Sequence, residues 1–260
     1  MDTVLNLYKR KSETPLQTMG RFVASHPEYE KVKMTYAGRL DPMAEGVLVA
    51  LTGEKTKERE AYTGMDKDYE FELAFGIETD TLDTLGLVTS PRQGSVAPSV
   101  AALPSLEEIN EILKKYKGKI QQVYPAYSSK VVDGTPLFEY ARRGVIGSIA
   151  LPAHEVIVSK LEATGVAQLS RAELKERLLS SIQAVTGDFR QKHIIEAWEE
   201  YFDVSAPEMV SVYKLRVSCG SGFYVRQLVS DLGRDLGFGA ITLSIVRTRV
   251  GEYKIEDSIR

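Results

Sequence analysis

The sequence predicts an α+β fold, and three observations carry that prediction. Residues 68–75 alternate polar and apolar, and Ser-x-x-Glu boxes at 105 and 170 announce two helices. Strand-like and helix-like stretches then mix without the regular beat of βαβ units. With 260 residues, 43% of them hydrophobic and 27% charged, the chain has the composition of a globular protein with a sizeable core.

The elements follow in order. Val4 to Tyr8 reads as a short strand. Thr14-Pro15 opens a helix, because threonine caps free N–H groups and proline suits the first turn; Leu16, Met19 and Val23 share its inner face. Residues 47–51 form an apolar strand and 54–62 a charged, helix-prone surface segment. In the alternating run, Tyr69, Phe71, Leu73 and Phe75 point one way and Asp68, Glu70 and Glu72 the other, the mark of a half-buried strand. Gly76 to Gly86 is a polar, turn-rich loop, and 90–104 is a connection rich in Pro, Ser and Ala. The first box opens a helix with Leu106, Ile109, Leu113 and Tyr116 inward, stopped by Gly118. An irregular stretch, 124–152, precedes a strand around 155–161, and the second box opens a helix ending at Gly187. Residues 188–209, with the only tryptophan, Trp198, read as a helical insertion. Tyr213, Leu215, Val217 and Cys219 alternate with polar residues as another strand. Gly-Ser-Gly at 220–222 then hands the chain to a helix carrying Val225, Leu228, Val229 and Leu232.

Composition narrows the chemistry. A single cysteine, Cys219, forms no intrachain disulfide and suits a reducing cytosol, so a cytoplasmic location is expected. No secretory leader or membrane span is visible. His26, His154 and His193 lie far apart, which opposes a metal site. No phosphate-binding loop occurs, and Gly220-Ser-Gly222 does not extend to G-x-G-x-x-G, so no cofactor is expected. The chemistry falls to carboxylates, Tyr, Arg and Lys. Net charge is −3, yet basic islands stand at 9–11, at Lys114, Lys115, Lys117 and Lys119, at Arg142-Arg143, and at Arg247 and Arg249. Singly these are solvated faces; together they would form a groove for a polyanion. Residues 196–208 are acid-rich instead.

The most informative stretch is GRLDPMAEGVLVAL, residues 38–51. Pro42 holds Asp41 in an extended conformation, and Gly38 and Gly46 would let backbone approach a bulky ligand. Alone, such an aspartate could equally cap a turn.

Other segments agree with the catalytic reading. GRLDPMAEGVL resembles the signature of pseudouridine synthases, and four more segments resemble the TruB branch, which isomerises a T-loop uridine of transfer RNA. They are Lys67-Asp-Tyr69 with FGIETDTLDTLG at 75–86; Pro125-Ala-Tyr127-Ser128-x-Lys130 with Leu137-x-x-Tyr140-Ala141-Arg142-x-Gly144; Cys219-Gly-Ser-Gly222-x-Tyr224-x-Arg226; and Arg247-Thr-x-x-Gly251. The resemblance implies the pseudouridine synthase fold: a mixed, largely antiparallel sheet flanked by helices, as one catalytic domain over 1–260 with an RNA-gripping thumb at about 124–152. It implies Asp41 as nucleophile, Arg226 as its ion-pair partner, and Tyr69 stacked on a flipped-out base. Whether Asp41 would attack C1′, attack the base or take a C2′ proton stays open. RNA contacts are implied for Tyr36, Arg39, Lys67, Lys130, Tyr140, Arg142, Tyr224 and Arg247. The partner expected is the tRNA T-stem-loop, met by a monomer without metal.

Three departures accompany the match. The family's KP-x-G-x-[ST] is Lys9-Arg10-Lys11-Ser12-Glu13-Thr14 here, Tyr36 replaces a histidine, and the sequence ends at Arg260 without the expected C-terminal PUA extension. The first two keep alive a tRNA-folding chaperone with weak or no catalysis, which intact Asp41, Tyr69 and Arg226 oppose. A ribosomal RNA synthase of the same fold shares GRLD, but lacks the TDT-x-D-x-x-G loop and the thumb motif.

Overall fold

A computed structural model describes residues 2–89 and 103–260; the connection expected over 90–104 lies, up to residue 102, outside the described residues. The first half contains β1 (Val4–Lys9), α1 (Pro15–Ser25), β2 (Met34–Ala37), β3 (Glu45–Thr52), α2 (Arg59–Thr63), β4 (Lys67–Phe75), β5 (Glu78–Thr79) and β6 (Val88–Thr89). Then come α3 (Leu106–Leu113), β7 (Gly118–Val123), β8 (Val131–Val132), β9 (Thr135–Pro136) and α4 (Leu137–Arg142). The remainder is β10 (Ala153–Ser170), α5 (Arg171–Gln183), α6 (Gln191–Val204), β11 (Met209–Cys219), α7 (Val225–Asp235), β12 (Ala240–Val250) and β13 (Tyr253–Lys254). Among the described residues no helix is long and apolar enough to cross a membrane.

One sheet runs β1-β3-β12-β4-β11-β10-β7, with β2 added to β3 and β13 to β12. Its pairs are antiparallel except β3 with β12. This is the expected α+β architecture. The alternation of β4 works as read: Tyr69, Phe71, Leu73 and Phe75 are buried. On its other face Asp68, Glu70 and Glu72 meet Arg249, Arg216 and Arg177. Capping boxes close reciprocally at Thr14/Gln17, Ser105/Glu108 and Ser170/Glu173, each satisfying two otherwise orphaned donors.

Elsewhere the structure corrects the expectations. On α1 the buried residues are Pro15, Thr18, Met19 and Phe22, while Leu16 is 66% exposed at the rim of a cleft. The α3 helix stops at Leu113 and α5 at Gln183, short of their glycines. The stretch 124–152 is less irregular than expected, since it holds the β8–β9 hairpin and α4. The strand expected at 155–161 is eighteen residues long. Pairing with β11 breaks register between Val158 and Lys160 and again between Ala163 and Gly165, so the buried set changes phase from Val156 and Val158 to Leu161 and Ala163.

Gly46 shows why the signature ends in glycine. It adopts φ +108, and a Cβ there would meet the Arg247 carbonyl oxygen at 2.2 Å. The close approach is therefore by the β12 backbone, not by a ligand. Gly46→Ala should cost about 3 kcal/mol or more, since it combines a left-handed conformation with a backbone clash. Urea unfolding measures this, and a loss below about 1 kcal/mol would show that β3 and β12 can part freely.

Candidate active site

A cleft of about 580 Å³ opens where the 38–44 loop, the 78–89 loop, the 124–152 segment and the start of α7 meet. Two buried cations hold the backbone of the loop that carries Asp41. Lys9 Nζ, with no exposed surface, donates to the carbonyls of Ala44 (2.5 Å), Arg10 (3.2 Å) and Pro42 (3.4 Å). Burial lowers its pKa to about 7, with Asp41 and Glu13 pulling the other way. Arg247, 1% exposed, donates from Nε to Val47 O at 2.7 Å and from Nη2 and Nη1 to Gly38 O and Arg39 O at 3.2 and 3.4 Å. The loop carrying Asp41 is thus clamped from both sides through its backbone.

Within the cleft, Arg226 organises the charges. It is the second residue of α7 and only 3% exposed. Its Nε donates to Asp41 Oδ2 at 2.8 Å, Nη1 to Thr81 O at 2.6 Å and Nη2 to Tyr127 O at 3.3 Å. A second carboxylate, Asp83, has its Oδ2 3.5 Å from the same Nε. Asp83 is 4% exposed, and burial raises its pKa to about 6 although Arg226 opposes this. Its Oδ1 accepts from Thr81 Oγ1 at 2.7 Å and Leu85 N at 2.9 Å, which closes the tight turn of the TDT-x-D motif. Asp41 differs in being open to the cleft, with a third of its side chain exposed. The buried pair thus aims one outward carboxylate at whatever occupies the cleft.

Tyr69 stands on β4, 8% exposed, and burial pushes its phenol up to about 12. It offers the cleft a ring and a protonated hydroxyl, not a phenolate. Tyr36 on β2, Arg39, Arg142 and Tyr224 also line the walls. Lys67 and Arg247 reach the cleft too, but both are buried. Lys67 gives its ammonium to the carbonyls of Thr63 and Met65, and burial lowers its pKa to about 8. In this structure the two cations that were expected to touch RNA hold backbone carbonyls around the cleft. Lys130 and Tyr140 fall outside the cleft: Lys130 Nζ sits 5.2 Å over the Tyr124 ring, and Tyr140 donates to Val132 O at 3.2 Å. The lysines at 114–119 do not reach it either, and Lys114, Lys115 and Lys119 face Glu111, Asp235 and Glu155.

Sequence reasoning missed Asp83, Lys9 and a bridge formed by Asp80, Tyr127 and Arg190. The TDT-x-D motif contained the signal for Asp83; nothing local marks Arg190.

The family model for "TruB family pseudouridylate synthase (N terminal domain)" matches residues 27–182. A protein named tRNA pseudouridine synthase B from Caldanaerobacter subterraneus subsp. tengcongensis is 33% identical over 226 residues, covering 87% of this chain and 62% of that protein. One of the same name from Bordetella avium is 31% identical over 232 residues, covering 88% and 74%. The chain thus spans about six-tenths to three-quarters of the length of these relatives. Among solved structures, a chain in a Cbf5–Nop10–Gar1 complex shares the fold with a TM-score of 0.54 and 18% identity, over 96% of this chain and 49% of that one.

Proposed function

Since the chain belongs to the TruB family of pseudouridylate synthases, we propose that it isomerises a uridine of transfer RNA, within the T-loop, to pseudouridine. The reaction breaks the N1–C1′ bond, turns the uracil and joins C5 to C1′; the C5 proton leaves and N1 takes one up. Nothing is oxidised or transferred away, so a carboxylate at the ribose–base junction and a shaped, dry pocket meet the chemical need.

One observation carries this reading: Asp41 opens to the cleft, 2.8 Å from the buried Arg226, and Tyr69 lines the same cleft. The guanidinium offsets the cost of holding a carboxylate ionised once RNA seals the cleft. Tyr69 supplies a stacking face for an extruded uracil, and its raised pKa makes it a hydroxyl donor. Exposed Arg39 and Arg142 meet phosphates at the rim, and 124–152 acts as the thumb.

Pseudouridine mapping on unmodified tRNA and ribosomal RNA tests target and activity together. Product at one T-loop position of tRNA is expected; product confined to ribosomal RNA would overturn the substrate.

Tyr36 lines the cleft from β2, and in this reading it fills the space an extruded base vacates. Tyr36→Ala should therefore slow turnover on folded tRNA at least several-fold more than on a short T-loop fragment, where extrusion costs less. Equal losses on both substrates would contradict this role.

A further inference from the structure

Strands β10 and β11 pair antiparallel up to Ser170 opposite Met209, a geometry that a turn of two to five residues would close. Instead residues 171–208 leave the sheet there and build α5, α6 and the turn between them. This unit is larger than the 188–209 insertion read from the sequence. It is not a loose appendage. Ile182, Ile194, Trp198 and Phe202 are fully buried, and Trp198 Nε1 donates to Thr84 O, 3.2 Å away in the 78–89 loop. The turn at 184–190 reaches the cleft, where Phe189 and Arg190 line the wall.

Arg190 is held at φ +62, an uncommon conformation for a residue with a side chain, in a turn stitched by Gln191 Nε2 to Val185 O and Gly187 O at 2.9 and 2.7 Å. Its guanidinium grips Asp80 through both nitrogens, Nη1 to Oδ2 at 2.8 Å and Nη2 to Oδ1 at 3.4 Å, and lies 4.9 Å over the Tyr127 ring. Tyr127 donates its hydroxyl to the same Asp80 Oδ2 at 2.9 Å. The carbonyl of that tyrosine accepts from Arg226, which in turn orients Asp41.

We propose that this inserted helical hairpin is a brace for the active site, with Arg190 as a positioning residue that fixes Asp80 and Tyr127 and, through the Tyr127 carbonyl, the Arg226–Asp41 pair. The charge of the hairpin favours a brace over an RNA grip: Glu196, Glu199, Glu200 and Asp203 are exposed along α6, where they repel phosphates. The hairpin also meets the part of the chain where the N-terminal motif departs from its family. Ser12 Oγ donates to Ser181 O at 3.2 Å, and Gln17 to Thr186. The other wall is tied in as well, since Arg142 Nη2 donates to Asp188 O at 3.2 Å.

The test rests on the synthase reading and uses single-turnover kinetics and RNA binding of the full chain. Arg190→Met should lower the rate constant ten- to a hundred-fold while the Kd for a T-stem-loop RNA moves less than threefold. Arg190→Lys should recover part of the rate, because it keeps the charge but not the fork. Arg190→Met combined with Asp80→Asn should be no slower than the slower single variant, as expected for one linked network. A weakened Kd with an unchanged rate would make Arg190 an RNA contact and overturn the proposal, as would additive losses or no loss. If the wild-type protein made no pseudouridine, the synthase reading would fail. The brace would then be read without RNA, from solvent exchange of the Arg226 Nε–H in NMR. Exchange should quicken at least tenfold in Arg190→Met if the brace holds Arg226, and stay unchanged if it does not.

Discussion

Asp41→Asn should bind tRNA within about threefold of the wild type and form pseudouridine at least about 10⁴-fold more slowly. The asparagine keeps the size of the side chain and an oxygen for Arg226 Nε, the contact that holds the residue at 2.8 Å. The loop itself does not depend on the carboxylate, because Lys9 and Arg247 clamp it through the carbonyls of residues 38, 39, 42 and 44. Binding and folding are therefore insulated from the substitution, and the loss falls on the chemical step. Nucleoside analysis of tRNA after single-turnover incubation measures it. A parallel collapse of RNA affinity would assign Asp41 to binding instead.

Arg226→Met should be the most destabilising change in the cleft, by about 3–5 kcal/mol, because it strips the counter-charge from a buried carboxylate. Asp83 would be left at 4% exposure with Asp41 nearby, and the carbonyls of Thr81 and Tyr127 would each lose a donor. The pH dependence separates these causes. Burial already raises the pKa of Asp83 to about 6 against an unfolded value near 3.8, so the native state binds the extra proton. That contribution to stability is complete below the unfolded pKa and is lost as pH rises through the folded one. Without Arg226 the folded pKa climbs further, and the loss continues above pH 6, where the wild type's has ended. The stability gap between the two proteins should therefore widen from pH 6 to 8 in urea titrations. A gap constant with pH would mean that only hydrogen bonds and packing were lost. Arg226→Lys, which keeps one charge, should lie between them in both stability and rate.

What the sequence made legible was local. The β4 alternation and the capping boxes at 105 and 170 need only neighbours within four residues, and they are found as read. Asp41, Tyr69 and Arg226 were legible because each sits inside a motif, and the structure brings them to one cleft. What stayed hidden depends on distant partners. Arg190 finds Asp80, and Trp198 finds Thr84, across 110 and 114 residues of chain. Nothing near them in sequence marks an active-site wall.

The burial of Lys9 and Arg247 was hidden for a different reason. A cation reads as surface unless its acceptors are visible, and theirs are backbone carbonyls, which every residue has. The full length of β10 was concealed by its two register breaks, which shift the buried residues out of simple alternation.

Release of tritium from tRNA carrying C5-tritiated uridine tests the central claim most directly, since formation of the C5–C1′ bond obliges that hydrogen to leave. Wild-type protein should release the equivalent of one uridine per tRNA, and Asp41→Asn none above background in the same time. Tight tRNA binding by the wild type with no tritium released would contradict the account and favour a folding chaperone. Release by Asp41→Asn at the wild-type rate would place the chemistry on another residue.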